Sequence, residues 1–213
     1  MVDAGLRERK KHATRAALGR AAWQLTIERG YDHVRVEDIA AAAGVSVRTF
    51  SNYFANKGQA LLSVGEDRGQ RMVAALRARP PGEDLWEALA AATADQFTGG
   101  GEVARDYASS VAYPAELAAA QRRLSASIEA ALTVAIAERT GTDAERDLYP
   151  RLVAAVAVSA TQTAFDYWRR ADAERGADAR PGEPFDSFLR RVLRQVAAGL
   201  PVPRLPDTGG SDE

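Results

Sequence analysis

The chain has 213 residues, a formal net charge of −1, 46% hydrophobic residues and no cysteine. That length allows one large domain or a small domain joined to a larger one, and the apolar content excludes whole-chain disorder. Disulfide frameworks, thiolate metal sites and cysteine nucleophiles are excluded, and His12 and His33 alone offer imidazole, so no metal and no cofactor is expected. No apolar run approaches the roughly 20 residues of a membrane span, and the first residues are charged where a signal peptide would be apolar. A soluble, cytoplasmic chain without a membrane partner is expected.

The near-zero charge conceals an asymmetry. Up to Lys57 there are ten Lys or Arg against six acids, a surplus of +4 that leaves −5 for the remainder, and all three lysines (Lys10, Lys11, Lys57) lie in this part. Such a segment attracts phosphate while the rest keeps the chain soluble. The cluster from Arg7 to Lys11, taken alone, reads as a solvated, disordered leader over residues 1–10.

Apolar residues recur at three- and four-residue steps, alanine and leucine dominate and β-branched runs are short, so the expected fold is all-α. The first helix is expected over about residues 11–28, burying Leu18, Ala22 and Leu25, with Gly30 as its terminator. Two short helices follow, over about 36–43 and 46–54, separated by Gly44. After Asn56, a good N-cap, a long helix runs from Lys57 to about Arg79, where Pro80 and Pro81 stop it. Further helices are expected over about 84–97, 103–113, 115–139, 143–175 and 185–200. Pro150 either kinks the fourth of these or marks its true first turn. The Pro- and Gly-rich tail, 201–213, reads as disordered. The expected organisation is therefore a basic N-terminal unit over 1–56, a larger helical unit over 57–200, and the tail.

The stretch from Val36 to Phe54 carries the functional signal, because its pattern is that of a helix-turn-helix. Ile39 and Ala43 share one face of the first short helix, and small Ala40 lets the second approach. Gly44 supplies the positive φ of a sharp turn, Val45 fills the angle and Ser46 caps the next helix. Phe50 and Phe54 bury that helix's inner face, leaving Val47, Arg48, Ser51 and Asn52 outward. A helix-turn-helix corner of a bundle without DNA function has the same core pattern; the polar outer face and basic N-terminal region favour DNA.

These residues resemble a TetR-type transcriptional regulator, whose N-terminal region reads Ile-Ala-x-x-Ala-Gly-Val-Ser followed by Thr, an aromatic pair and Lys. Here the matching positions are Ile39, Ala40, Ala43, Gly44, Val45, Ser46, Thr49, Tyr53, Phe54 and Lys57, preceded by Arg15, Leu18, Ala22 and Gly30. The match covers roughly residues 10–65; the later helices match only in number, length and apolar character. Four positions depart from the family pattern. Arg35 stands for a usual Thr that caps and touches phosphate, Thr26 for a core Phe, Ser51 for a phosphate-touching Tyr, and Gly58 for a Glu.

Arg48 is the candidate for direct readout, since a guanidinium bonds both O6 and N7 of guanine, with a phosphate contact as the alternative. Val47 and Thr49 suit a thymine methyl or the backbone, and Asn52 suits adenine or a phosphate. Arg35 and Ser46 are candidate backbone contacts, and the resemblance turns the Tyr53 hydroxyl to the backbone. Lys57, at a helix N-terminus, is expected to anchor a phosphate.

In the larger part, Gln162 and Asp166 lie four apart beside Phe165 within an apolar stripe. A buried carboxylate there requires an arginine or a ligand. The resemblance places a small-molecule pocket among these helices, with Met72, Leu76, Trp86, Phe97, Tyr107 and Phe165 as its lining. Small residues over 152–165 and 188–200 permit close helix packing, and the resemblance implies a homodimer through this region, hence a double-stranded, pseudo-palindromic operator. The expected function is a sequence-specific transcriptional regulator, a repressor released by a small organic ligand. One rival is a constitutive DNA-binding or interaction protein whose larger domain only dimerises. The other, a helical enzyme using Glu116, Asp143, Asp147 or Asp166, lacks a phosphate loop, a helical His pair or a nucleophile turn.

Overall fold

The computed structural model describes residues 2–97, 117–175 and 183–200, and every regular element within them is helical. The helix expected over 103–113, Tyr107, Glu116 and the tail lie outside the described residues. The elements are α1 (Val2–Arg29), a 3-10 turn (Tyr31–His33), α2 (Val36–Ala42), α3 (Val47–Ser51), α4 (Lys57–Ala78), α5 (Leu85–Ala94), α6 (Ala118–Thr140), α7 (Leu148–Arg175) and α8 (Phe185–Ala197).

One expectation is corrected at the first element. The basic cluster is helical, not a disordered leader, because α1 begins at Val2 rather than near residue 11. Residues 6–18 contain no Gly or Pro and are mostly Leu, Ala, Arg, Lys and Glu, all good helix formers, so the apolar stripe beyond them nucleates a helix that propagates back through the charges. The second short helix closes sooner than expected. After Ser51 the backbone tightens: Asn52 N–H reaches the carbonyls of both Arg48 (3.3 Å) and Thr49 (3.1 Å), and Tyr53 N–H that of Phe50 (2.9 Å). At Pro150 the alternatives resolve. α7 starts at Leu148, so the proline occupies its first turn, where no intrahelical N–H is needed.

Two main cores divide the chain. Leu18, Ala22, Leu25, Ile39, Ala40, Phe50 and Phe54 form the N-terminal one, from α1 to α3 and the start of α4. Met72, Val73, Leu76, Leu89, Leu132, Ile136 and Val153 form the larger one, between α4, α5, α6 and α7. An aromatic cluster around Phe97, Trp168, Phe185 and Phe188 docks α8 beside it. α4 belongs to both halves: Ala60 packs in the first core and Met72 in the second. Its 22 residues span about 33 Å as one rigid rod.

Two of the departures from the family pattern find their reason here. Thr26 is buried, and its hydroxyl donates to the Ala22 carbonyl at 2.7 Å, so the polar atom is satisfied. At Gly58 any Cβ would lie 2.6 Å from Leu117 Cδ2, so Leu117 fills the space that a longer residue would need.

Candidate nucleic-acid interface and ligand cavity

Gly44, at φ +69°, makes the turn between α2 and α3, closed by Gly44 N–H to Ala41 O (3.0 Å) and Val45 N–H to Ala40 O (2.9 Å). Ser46 Oγ then accepts from Thr49 N–H at 3.1 Å and lies 2.9 Å from Thr49 Oγ1, so both hydroxyls are engaged in starting α3. Phe50 is 1% exposed, with the Phe54 ring 5.8 Å away, and these two rings hold α3 against the core. The opposite face of α3 is left to solvent. Val47, Arg48, Ser51 and Asn52 are exposed there, with Thr49 and Tyr53 half-buried at its edge. Ser51 Oγ donates back to the Val47 carbonyl at 3.1 Å.

Arg35 is exposed at the start of α2 and gives no side-chain cap, since a guanidinium has no lone pair to offer. Asp38 compensates from the other direction: its carboxylate accepts from Arg35 N–H at 3.2 Å and, with Glu37, puts negative charge at the positive helix end. Lys57 departs from its expected placement. Its ammonium does not stand free for a phosphate but turns inward, donating to the carbonyls of Tyr31 (2.7 Å) and Val34 (3.0 Å) and lying 4.2 Å from the Tyr31 ring centroid. The Tyr31 carbonyl also accepts from Val34 N–H at 3.2 Å within the 3-10 turn, and Lys57 adds a second donor to it and one to the Val34 carbonyl. α4 is capped instead by Asn56, whose Oδ1 accepts from Gln59 N–H at 2.9 Å.

A clamp that the sequence reading missed joins the halves. Arg15 of α1 donates from Nη2 to Glu66 Oε2 (2.6 Å) and from Nη1 to Asp67 Oδ1 (3.0 Å), both on α4, while its guanidinium carbon lies 5.4 Å from the Phe54 ring centroid. The partners stand 51 and 52 residues away, and nothing in the local sequence pairs them.

A cavity of about 950 Å³ opens between α4, α6 and α7, next to the end of α5. Of the expected lining residues, Met72, Phe97, Gln162, Phe165 and Asp166 stand on its wall. Leu76 and Trp86 do not. Leu76 is 1% exposed within the larger core, and Trp86 packs between that core and the aromatic cluster, because both residues face the helix contacts rather than the void. The expectation of a buried Asp166 is also corrected: it is exposed at the rim, where a carboxylate needs no buried partner. Gln162 is tied across the opening, donating from Nε2 to Ser125 Oγ at 2.6 Å. Arg68, Ile128, Leu132 and Val158 belong to the wall and were not expected. Arg68 reaches it from α4, its guanidinium carbon 4.8 Å from the Phe97 ring centroid. The floor is apolar, with Leu132 and Ala157 buried, and the rim is polar, with Gln121, Arg122, Asp166 and Arg170. Among the described residues no group of three His, Cys, Asp or Glu is placed to hold a metal, and no helix is long and apolar enough to cross a membrane.

Residues 18–64 match the family described as bacterial regulatory proteins of the tetR family, and residues 83–201 match the MftR C-terminal domain. The transcriptional regulator TcmR of Streptomyces glaucescens is 36% identical over 162 residues, 71% of each chain. The chain belongs to the TetR family. It is thus a DNA-binding transcriptional regulator of helix-turn-helix type, with α3 in the place of the recognition helix. Solved structures share the fold at lower identity. A TetR-family regulator from Syntrophomonas wolfei superposes with a TM-score of 0.65 at 18% identity, covering 91% of this chain and all of that one. FadR of Bacillus subtilis, solved with stearoyl-CoA, gives 0.60 at 20% identity, covering 86% and 97%.

Proposed function

We propose that this TetR-family regulator is a repressor that binds a pseudo-palindromic operator as a homodimer and leaves it when a small organic molecule fills the cavity between α4, α6 and α7. The observation that carries this reading is the double role of α4. Arg68 and, one turn on, Met72 face the cavity, while Glu66 and Asp67, in the same turn as Arg68, hold Arg15 of the DNA-binding half. A molecule that shifts this turn moves the reader with it, and a ligand changes operator affinity by its differential affinity for the two arrangements.

The cavity volume suits a drug-sized ligand, and its apolar floor and polar rim favour an amphipathic one. The stearoyl-CoA of the Bacillus subtilis structure is a ligand of that kind held by the same fold. A dimer is supported by α7, which leaves the apolar side chains of Leu148 (74%), Tyr149 (48%), Leu152 (54%) and Tyr167 (60%) exposed to a partner helix. On DNA, Arg48 reads a base edge and Val47, Thr49, Asn52 and Tyr53 adjoin it, with Arg35 and Ser46 towards the backbone. A regulator that is constitutive, its larger half serving only dimerisation, has no use for such a cavity.

Selection of bound duplexes from a random pool gives the operator and its symmetry; the recovered site is expected to be an inverted repeat. Operator titrations then include compounds that raise the melting temperature, screened from acyl-CoAs, fatty acids and planar aromatic molecules. Operator release by such a compound is expected. Unchanged operator affinity at saturation would sink the switch and leave the DNA reading standing.

A further inference from the structure

The groove between the first half of α1 and the end of α3 is a second anion-facing feature of the reader, and its α1 wall lies outside the stretch that matches the family's N-terminal region. Arg7, Lys10, Lys11 and Thr14 recur at three- and four-residue steps, so they form one stripe of α1. Facing them across a cavity of about 760 Å³ are Thr49, Asn52 and Tyr53, again at three- and four-residue steps, on the edge of the exposed face of α3. Glu8 also lines the groove, so its side chains sum to +2.

We infer that this groove is a phosphate-binding channel that carries the DNA backbone flanking the bases under α3, a reading that rests on the DNA-binding function proposed above. Three features support a seat rather than a diffuse positive tail. The cations stand on a helix that continues without a break into the buried part of α1, so their positions are fixed relative to α3. Arg7, Lys10 and Lys11 form no ion pair among the described residues, whereas Arg15, one turn further on, is bound to both Glu66 and Asp67. The opposite wall offers hydroxyl and amide groups of the kind that bond phosphate oxygens. From Arg7 to Thr14 the helix advances about 10 Å, enough to follow two or three successive phosphates of one strand, whose axial spacing is about 3.4 Å. The channel adds affinity without sequence information, leaving base choice to α3.

The test uses the full chain and two probes, the operator duplex recovered by selection and a scrambled duplex of equal length, titrated between 50 and 200 mM salt. The triple substitution Arg7→Gln, Lys10→Gln, Lys11→Gln is expected to lower the slope of log affinity against log salt by about 2 to 3 for each protomer, so about 5 for a bound dimer, on both duplexes. Its affinity then falls about 1000-fold less than that of the unsubstituted protein across that range. Glu8→Gln is expected to tighten binding to both duplexes. Arg9→Gln, which removes an exposed charge from the same stretch but off the groove, is expected to change the slope by much less than Lys10→Gln. Melting curves check that each variant is folded. If Arg9→Gln and Lys10→Gln act equally, a long-range field replaces the channel and the inference is overturned; an unchanged slope in the triple variant overturns it as well. Failure of the unsubstituted protein to bind any duplex is a different result, which removes the DNA reading beneath it.

Discussion

In the N-terminal half, Leu18, Ile39 and Phe50 are at most 1% exposed around short helices, while the C-terminal half leaves about 950 Å³ open among α4, α6 and α7. On the proposed reading, a face that meets DNA holds Arg48 and Asn52 in fixed positions, which tight burial of the opposite face of α3 provides. A half that answers to a small molecule requires room, which the space among α4, α6 and α7 provides. The Arg15 clamp and α4 are what lie between them. Rigid reader and hollow body are thus coupled by a few named contacts, which makes the contrast open to experiment.

The largest expected effect separates the two kinds of packing. Phe50→Ala removes a fully buried ring from the small core and is expected to cost about 3 to 5 kcal/mol. Phe165→Ala, on the half-buried cavity wall, is expected to cost well under half of that, because one side of the ring already meets open space. Urea unfolding of both variants reads the difference. Equal losses would show that the C-terminal half is packed as tightly as the reader.

Lys57→Ala ranks next. Loss of its bonds to the Tyr31 and Val34 carbonyls removes a donor from each, although Tyr31 keeps its bond from Val34 N–H, at a cost of about 1 to 3 kcal/mol. The salt slope of DNA binding is expected to stay unchanged, in contrast to Arg48→Ala, which is expected to erase preference among bases with little loss of stability. A slope lowered by about 1 in Lys57→Ala would return that lysine to the phosphate-anchoring role that its position at a helix start suggested.

That reversal marks where the sequence ceased to be readable. The helix-turn-helix is local: Gly44, Ser46 and Phe50 each act on neighbours within a few residues, so spacing alone was enough to place them. The inward bonds of Lys57 were not legible because their partners, 26 and 23 residues away, exist only once the 3-10 turn folds back under α4. The cavity shows the same limit. Met72 and Phe165 line the cavity because long apolar side chains on internal helices must line something, whereas Leu76, on the same face of α4 and in the same core as Met72, lies one turn beyond the cavity. Only position along α4 separates those two. The leader was judged from its charges, and the propagation of helix from a buried stripe into a solvated one overruled them.

Gly69→Ala tests the wall between the halves. A Cβ there would lie 2.6 Å from Ile128 Cγ1 and 2.7 Å from Cδ1, and these two residues line both the ligand cavity and the cleft that contains Arg15 and Glu66. Ala gains about 1 kcal/mol of helix preference, against an overpacking cost of about 1 to 3 kcal/mol, so a net loss of about 1 kcal/mol is expected. Adding Ile128→Ala removes the clashing atoms, and the double variant is expected to recover part of that loss. The sign of the coupling in the four-variant cycle checks it. Strict additivity would mean that α4 and α6 do not press on each other here.

The smallest expected effect concerns the exposed ion pairs that join helices within the C-terminal half. Hydrogen bonds from Arg194 to Glu87 (2.9 and 3.0 Å) and from Arg77 to Glu138 (2.8 and 3.1 Å) hold these carboxyls below the ordinary glutamate range, with burial opposing weakly. A carboxylate whose folded pKa is depressed stabilises fully above its unfolded pKa, about 4.3, and loses that contribution as pH falls through the folded value. Their loss therefore belongs to the acid limb, below about pH 4.5, and leaves neutral pH untouched. Glu87→Gln should flatten the stability profile there by a small amount, since solvent and salt screen both pairs. The linking clamp differs in reach: Arg15 holds two carboxylates on α4, so in Arg15→Gln urea unfolding monitored by a probe near α3 is expected to report movement of the reader before a probe in the C-terminal half reports unfolding. Coincident transitions at both probes would show that the clamp has no separate life from the fold.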